Sequence, residues 1–465
     1  MLSREPPHIL IVGAGLAGAL MACYLARRGV RISVYERRPD PRAAGFVGGR
    51  SINLALSARG IAGLAGVGLD GEVLAQAIRM PGRMIHPVSG PTVFQPYSAN
   101  PADAINSISR SGLNLTLIHA AARHPGVSFH FDHPCVDVDL HAPAGLFRAP
   151  SGETVRIEAD LVIGGDGAFS AVRGAMQKTD RFDYSQSYLE HGYKELHIPA
   201  AAGGAFSMPE HALHIWPRGG SMMIALPNPD GTFTCTLFWP FQGDHAFTNL
   251  RMPADVERHF REHYPDAVSL MPTLVEDYFH NPTSSLVTIR CAPWQAAGRS
   301  VLIGDAAHAI VPFFGQGMNA AFEDCVVLDG CLARWAGSGA RDADDLAAAL
   351  DEYQRLRKPN ADAIADMALE NFVEMRDRVG RPEFLYKKKI EQTVHELFPD
   401  RVAPLYNLVS FSTVPYTEAL SRGRALDAAL ERIITQLPRE EGASLPPHGL
   451  KERVRALAEP LLVKR

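Results

Sequence analysis

An α/β fold is predicted for this chain: a parallel sheet with crossover helices, an antiparallel β-sheet inserted into it, and a helical C-terminal region. Three observations predict it. Apolar runs end in glycine turns at three places more than 100 residues apart, Gly13-x-Gly15-x-x-Gly18, Gly165-Asp166-Gly167 and Gly304-Asp305. Between 182 and 290 the texture changes to short β-type runs broken by Gly, Pro and Asn. From 318 onward, helical periodicity takes over.

His8-Ile-Leu-Ile-Val12 is a continuous apolar run ahead of a glycine turn, which suits a strand buried on both faces. Leu16 to Arg28 reads as a helix with Leu16, Leu20 and Tyr24 on one stripe and Gly29 at its end. Arg31–Tyr35 is the second parallel strand and delivers Glu36 at its tip. Strand, glycine turn, helix and strand make a right-handed βαβ unit of the Rossmann type. Tyr188–Leu196, His211–Trp216, Ser221–Leu226 and Phe233–Pro240 are the strands of the inserted antiparallel sheet. Ala142–Pro150 reads as a polar turn. Nucleotide-type pattern returns at Arg299–Asp305, and Leu328, Leu332, Leu346, Leu350 and Tyr353 carry the following helices. In Leu450–Arg465, Val454, Leu457, Leu461 and Leu462 among basic residues suggest a helix packed on its own protein. The domain segments expected are 1–181, 182–290, 291–380 and 381–465, with the first and third forming one discontinuous domain.

A chain of 465 residues can bury a large core in two or three domains. Its net charge of −5 gives no reason to expect nucleic acid as a partner. No run of about 18 apolar residues appears, so no membrane anchor is expected, and the first residues lead into a strand rather than a cleavage site. Cys23, Cys135, Cys235, Cys291, Cys325 and Cys331 form no C-x-x-C pair and lie mostly in apolar surroundings. Reduced thiols and a cytoplasmic location follow as expectations.

The glycine stations carry the chemistry. Only glycine lets backbone amides approach a pyrophosphate, and a helix starting near Leu16 and Ala17 aims its positive end there. Glu36 lies 23 residues beyond Gly13, where an acid accepts hydrogen bonds from ribose hydroxyls. Asp166 and Asp305 would each sit at the C-terminal edge of a parallel strand, where ligands of open α/β sheets bind. Each also allows a plainer reading as a carboxylate that caps a turn. Gly315-Gln-Gly317-Met318-Asn319 precedes a helix, so its N–H groups could face a reduced flavin. Together the stations point to FAD.

These stations resemble those of the p-hydroxybenzoate hydroxylase-like flavin monooxygenases. More narrowly, Gly49-Arg-Ser-Ile-Asn-Leu-Ala-Leu-Ser57, Gly82-Arg83-Met-Ile-His86, Gly304 to Asn319, Glu323-Asp-Cys325 and Glu370-Asn-Phe-Val-Glu-Met375 resemble the kynurenine 3-monooxygenase family. The likeness runs over residues 8–415. The ending Leu-Leu-Val-Lys-Arg465 resembles the soluble bacterial members rather than those with an apolar tail. The resemblance implies hydroxylation of L-kynurenine with FAD, NADPH and O2, through a flavin C4a-hydroperoxide, in tryptophan degradation and NAD biosynthesis. It also implies that Arg83 and Tyr97 grip the substrate carboxylate, with Asn371 as a third polar contact. The plainer alternatives for these three residues are a surface or salt-bridged arginine, a packed core ring and a helix-surface amide.

The aromatic end of such a substrate needs a dry pocket. Ala55, Ile105, Leu213, Met222, Ile224, Leu226 and Phe238 are candidates to line it, several alternating along sheet strands. Pro312, Phe313 and Phe314 would lie near the flavin, and Tyr406 would close the pocket. Arg37, Arg110 and Val136 complete the expected cofactor set. No second glycine fingerprint for NADPH is visible and no metal-ligand spacing stands out; a homodimer is allowed. His86 and His308 are read as structural. Two rival functions stay open: hydroxylation of another aromatic acid, and a flavin-binding redox sensor without turnover. A halogenase is disfavoured, because Phe238-Trp-Pro-Phe241 lacks the W-x-W-x-I-P pattern.

Overall fold

The computed structural model describes residues 6–44, 53–243, 245–337, 342–377 and 381–462. Gly49 to Ile52 of the resemblance string, and the last three residues, lie outside them. The chain forms two compact units. One comprises 1–78, 106–192 and 283–368; the other comprises 79–105, 193–282 and 369–465. The cuts differ from the segments expected: residues 79–105 and the C-terminal helices group with the inserted sheet. Sequence proximity cannot reveal that grouping, because strand pairing decides it.

The first unit is built on a six-stranded sheet in the order Gln295–Ala296, Ser300–Leu302, Leu161–Gly164, His8–Val12, Arg31–Tyr35, Val127–His130. The last five strands run parallel. Ile9, Leu10 and Ile11 are fully buried, as expected of a strand covered on both faces. The helix Leu16–Ala26 is buried from Gly18 to Leu25 rather than along one stripe. It packs against both Arg110–Ala122 and Gly317–Gly337, so a single amphipathic face would not suffice.

Ala142–Pro150 is not a turn. Ala144–Arg148 is the middle strand of an antiparallel sheet with Cys135–Asp139 and Thr154–Glu158. Phe147 is fully buried and stacks on Tyr35 with ring centres 4.2 Å apart. The flanking Pro143 and Pro150 disguise a five-residue strand that has only one large apolar side chain facing inward.

The second unit holds strands in the order Asp183–Ile198 (from its C-terminal part), Phe233–Pro240, Met222–Pro227, Leu213–Pro217, Gly82–Ile85, Val93–Pro96. Most neighbours are antiparallel, but Leu213–Pro217 pairs with Gly82–Ile85 in parallel. Gly82–Ile85 arrives from a distant segment, and only a hairpin would force an antiparallel partner. The region read as β-type runs also contains the helices Pro253–His263, Pro265–Val268 and Leu274–His280. They cover one sheet face, joining Trp216, Met223, Leu237 and Trp239 to Phe260 and Tyr264 in one core. Another core forms among the C-terminal helices Pro382–Leu397, Tyr416–Gln436 and Pro447–Ala458. Leu450 and Val454 are buried in it, with Leu457, Leu461 and Leu462 packed at its edge. Among the described residues, no helix is long and apolar enough to cross a membrane.

A histidine pair sits in the sheet core. His214 Nε2 donates to Pro209 O at 2.8 Å, which leaves Nδ1 to accept from His86 Nε2 at 2.8 Å. His86 Nδ1 lies 2.5 Å from Asp266 Oδ2, and Trp216 Nε1 donates to Asp266 Oδ1 at 3.0 Å. Burial pushes His214 down from 6.5 to about 4. Between these values the unfolded chain binds more protons than the folded one, so stability rises with pH across that window. The contribution of His214 is therefore complete above about 6.5 and declines as pH falls toward about 4. His214→Gln is expected to reduce the drop in urea midpoint between pH 7 and pH 5; an unchanged drop would contradict this assignment.

Candidate active site

The first station is made by close backbone approach. Gly13 has φ +99°, and a Cβ on it would lie 2.6 Å from Gly165 O. A Cβ on Gly18 would lie 2.0 Å from Gly13 O. Neither position tolerates a side chain. Gly15 differs, because no protein atom lies within 4 Å of a Cβ placed there. That glycine opens onto a cleft lined by Gly15, Leu16, Glu36, Arg38, Arg110 and Asn114, among others. The expected Leu16, Glu36 and Arg110 thus meet in one place, whereas Arg38 rather than Arg37 lines it. Glu36 Oε2 accepts from Ala14 N at 2.9 Å and Oε1 from Arg38 N at 3.0 Å, which ties the strand tip to the glycine loop. Val136 is exposed on its own strand.

The second station touches the first. Asp166 Oδ2 accepts from Ala171 N at 2.6 Å and so caps the helix Ala171–Met176 together with Ser170. The plainer capping reading is therefore correct as far as Oδ2 goes. Asp166 Oδ1, however, is buried with no hydrogen-bond partner. Burial raises this carboxyl above the usual range, with the hydrogen bonds from Ser170, Ala171 and Val172 opposing. A buried carboxylate oxygen without a donor is costly, and a ligand hydroxyl would remove that cost.

At the third station Gly304 has φ +56°, and a Cβ there would meet Ala17 Cβ at 3.2 Å. Asp305 opens the short helix Asp305–His308 with its side chain exposed. Gly304 N donates to Asp324 Oδ2 at 2.9 Å, and His308 Nε2 lies 2.5 Å from the same oxygen. Arg357 Nε donates to Asp324 Oδ1 at 2.7 Å, Arg357 also pairs with Glu323, and Arg59 Nη1 reaches Glu323 at 2.7 Å. Asp324 is fully buried. Burial alone would raise its carboxyl, but His308 and Arg357 outweigh it and hold the group below the usual range. The string Glu323-Asp-Cys325 shows no role by itself; that Asp324 is buried, Glu323 half-buried and both are paired is invisible in a linear pattern.

The loop that follows is stapled by Asn319. Its Nδ2 donates to Ala55 O at 2.9 Å and Gly315 O at 2.8 Å, while Oδ1 accepts from Ser57 N at 3.0 Å. This side chain positions the loop, while the expectation for Asn319 concerned its backbone N–H. Ala55 is brought to Gly315, where an added Cβ would lie 3.1 Å from it. The helix Gly317–Gly337 makes its first backbone bond from Ala320 N to Gln316 O, so the N–H groups of Gly317, Met318 and Asn319 precede it. Phe313 and Phe314 are buried and Pro312 is exposed. Space at Gly15, the unpaired Asp166 Oδ1 and these amides together fit a bound FAD.

In the second unit, strand register decides which side chains share a face. Arg83 pairs with Leu213 and Gln95, Ile215 with Ile224, and Met222 with Phe238. Residues two apart face the same way, so Arg83, Leu213, Met222, Ile224, Leu226 and Phe238 all lie on the face opposite the Trp216 core. Tyr97 and Tyr406 stack with ring centres 4.8 Å apart, and the Arg83 guanidinium carbon lies 5.6 Å and 6.0 Å from their rings. Among the described residues no carboxylate pairs with Arg83. Arg83 Nε, Gln95 Oε1 and Tyr97 Oη are buried without hydrogen-bond partners. The Tyr97 hydroxyl lies near Tyr406 but outside hydrogen-bond geometry; burial, then Tyr406, pushes it well above the usual phenol range, so it stays neutral. Gln95 escaped sequence reasoning, although its place two residues before Tyr97 on a strand was a usable signal. Asn371 is half-buried and donates to Met375 Sδ at 3.4 Å. Ile105 is buried outside this sheet.

Two outcomes follow for the first unit. Gly15→Ala should leave flavin-free stability within about 0.5 kcal/mol yet weaken FAD binding at least about 10-fold, equivalent to ~1.4 kcal/mol. Urea unfolding and retained flavin after desalting measure the two effects. Arg357→Met strips the buried Asp324 Oδ1 of its partner, leaving His308 and the Gly304 amide on the other oxygen, and should destabilise the fold by up to about 3–5 kcal/mol, read from urea unfolding.

Comparison with known proteins agrees with this geometry. The family described as "FAD binding domain" matches residues 7–368. A kynurenine 3-monooxygenase of Myxococcus xanthus (strain DK1622) is 49% identical over 446 residues, covering 96% of this chain and 94% of its own. That of Dictyostelium discoideum is 48% identical over 431 residues, covering 92% and 93%. Among solved structures, 2-methyl-3-hydroxypyridine-5-carboxylic acid oxygenase matches with TM-score 0.63 and 19% identity, over 82% of this chain and 96% of its own. A p-nitrophenol 4-monooxygenase from Pseudomonas putida DLL-E4 matches with TM-score 0.63 and 18% identity, over 84% and 94%; both likenesses concern the fold alone. With the residues of an FAD site assembled and relatives of this identity covering nearly the whole chain, the protein belongs to the kynurenine 3-monooxygenase family of FAD-dependent monooxygenases.

Proposed function

We propose that this chain hydroxylates L-kynurenine to 3-hydroxykynurenine, using NADPH and O2 with FAD bound. The observation that carries the reading is Arg83, which pairs with no carboxylate among the described residues and lies beside two stacked aromatic rings at the edge of an apolar sheet face. Its donors match a carboxylate in a bidentate way that lysine cannot reproduce. Arg83 holds the carboxylate of the substrate's amino-acid head, Tyr97 adds a hydroxyl donor, and Asn371 is a third polar contact. Tyr406 fixes the Tyr97 ring by stacking. Leu213, Met222, Ile224, Leu226 and Phe238 offer the aniline ring a surface from which water is excluded.

Gly15 and the start of the helix behind it would hold the pyrophosphate, with Gly13 and Gly18 allowing the close packing of the loop; Glu36 would hold the ribose, and the amides of Gly317 to Asn319 would face the flavin ring. Bound FAD would supply hydride acceptance from NADPH and activation of O2 for transfer of one oxygen atom. The aniline nitrogen donates electrons to the ring carbon ortho to it, so this chain needs no strong base there. All six cysteines are free thiols, which supports a reducing, cytoplasmic setting as part of the same proposal.

The test is NADPH oxidation by the FAD-loaded protein with and without L-kynurenine, with the product mass determined. Stimulation with a gain of one oxygen is expected. Stimulation without that gain would point to another aromatic acid as substrate, and no stimulation would remove kynurenine. A charge-assisted contact contributes roughly 1.5–3 kcal/mol, so Arg83→Ala should weaken kynurenine binding about 10- to 100-fold with FAD content unchanged. Unaltered affinity in that variant would take Arg83 out of the site.

A further inference from the structure

Three histidines converge in the second unit, and none of them is among the residues assigned above to substrate or cofactor. His259 and His263 lie one turn apart on the helix Pro253–His263, and His245 comes from the loop after the strand Phe233–Pro240. Their ring centres are 4.3 Å (His259–His263), 5.0 Å (His245–His263) and 5.8 Å (His245–His259) apart. One ring nitrogen from each lies within 4.8 Å of the others. Among the described residues, none of the three rings makes a hydrogen bond to another protein group. We propose that His245, His259 and His263 form a binding site for a divalent first-row transition metal, with zinc as the fitting ion.

The residue types and spacing support this site. Two histidines at i and i+4 present their rings on one helix face, a pairing that metal sites use. Neutral imidazole suits zinc, copper and nickel, and three imidazoles around zinc leave a fourth position for water. Zinc–nitrogen bonds of about 2.0–2.1 Å require the nitrogens to draw closer, and the exposed His245 can rotate to do so. Burial, then the neighbouring His263 and His245, push His259 down to about 4, so its lone pair is free at neutral pH.

The surroundings set the strength. Trp239 packs edge-on against His259 at 4.5 Å and walls off one side. Arg258 lies close to His259, and Arg218 and Glu262 lie close to His263. The two arginines oppose a cation and the acid favours it. With no carbonyl or carboxylate among the described residues orienting the rings, affinity should fall below that of sites that have such partners. The site joins a surface loop to a helix, so the metal would act as a clamp between them.

The test uses FAD-loaded protein without a polyhistidine tag, treated with chelator and desalted, then titrated with Zn2+ against a chromophoric zinc indicator. One equivalent per chain is expected. Losing a ligand should cost more than losing a partner behind one, which costs about 10- to 100-fold. His245→Ala and His263→Ala should therefore each weaken binding at least about 10-fold, with circular dichroism confirming that both remain folded. His245 is exposed, so its variant tests the site without disturbing the core. A parent protein that takes up no stoichiometric zinc, or either variant binding as tightly as the parent, overturns the proposal.

Discussion

The Asp324 carboxylate, fully buried, is the constraint on which the flavin side of this protein rests. One oxygen receives the Gly304 amide and faces His308, and the other receives Arg357. A carboxylate in a protein interior is stable only when such partners replace water. Here they also fix the turn that follows a sheet strand, and that turn abuts Ala17 in the glycine loop. Cys325, the next residue, donates to Ala17 O at 3.3 Å. The helix Gly317–Gly337 thus holds two cofactor stations through adjacent side chains while offering its own N-terminal amides to a third.

Glycine plays two distinct parts in this arrangement. At Gly13 and Gly18 the chain itself leaves no space, so glycine is a packing requirement of the protein. At Gly15 the space is open on the protein side. There the absent side chain leaves room at the mouth of the cleft lined by Glu36 and Arg110. The two cases are indistinguishable in the string Gly-x-Gly-x-x-Gly.

The second unit divides its labour between two faces of one sheet. Trp216, Met223, Leu237 and Trp239 bury one face under helices. Arg83 and the apolar candidates share the other, and a shift of one residue in register would exchange them. The parallel pairing of Leu213–Pro217 with Gly82–Ile85 places Arg83 beside Leu213 although they are 130 residues apart in sequence.

By itself the sequence determined what depends on near neighbours. The βαβ unit, the glycine turns, the late helices and the position of Glu36 all follow from local periodicity and backbone freedom. Arg83 and Tyr97 came instead from the family resemblance, since local pattern alone gives them no role. Only the tertiary structure decided what depends on residues far apart. It made a strand of Ala144–Arg148, put Arg38 instead of Arg37 in the cleft, and revealed Gln95 beside Arg83. It also showed the Asn319 side chain stapling the loop, and buried Asp324 and Arg357 together beside the half-buried Glu323. The physical reason is that a side chain's hydrogen-bond partners and its exclusion from water are properties of assembled surfaces, whereas periodicity and glycine's conformational freedom act along the chain.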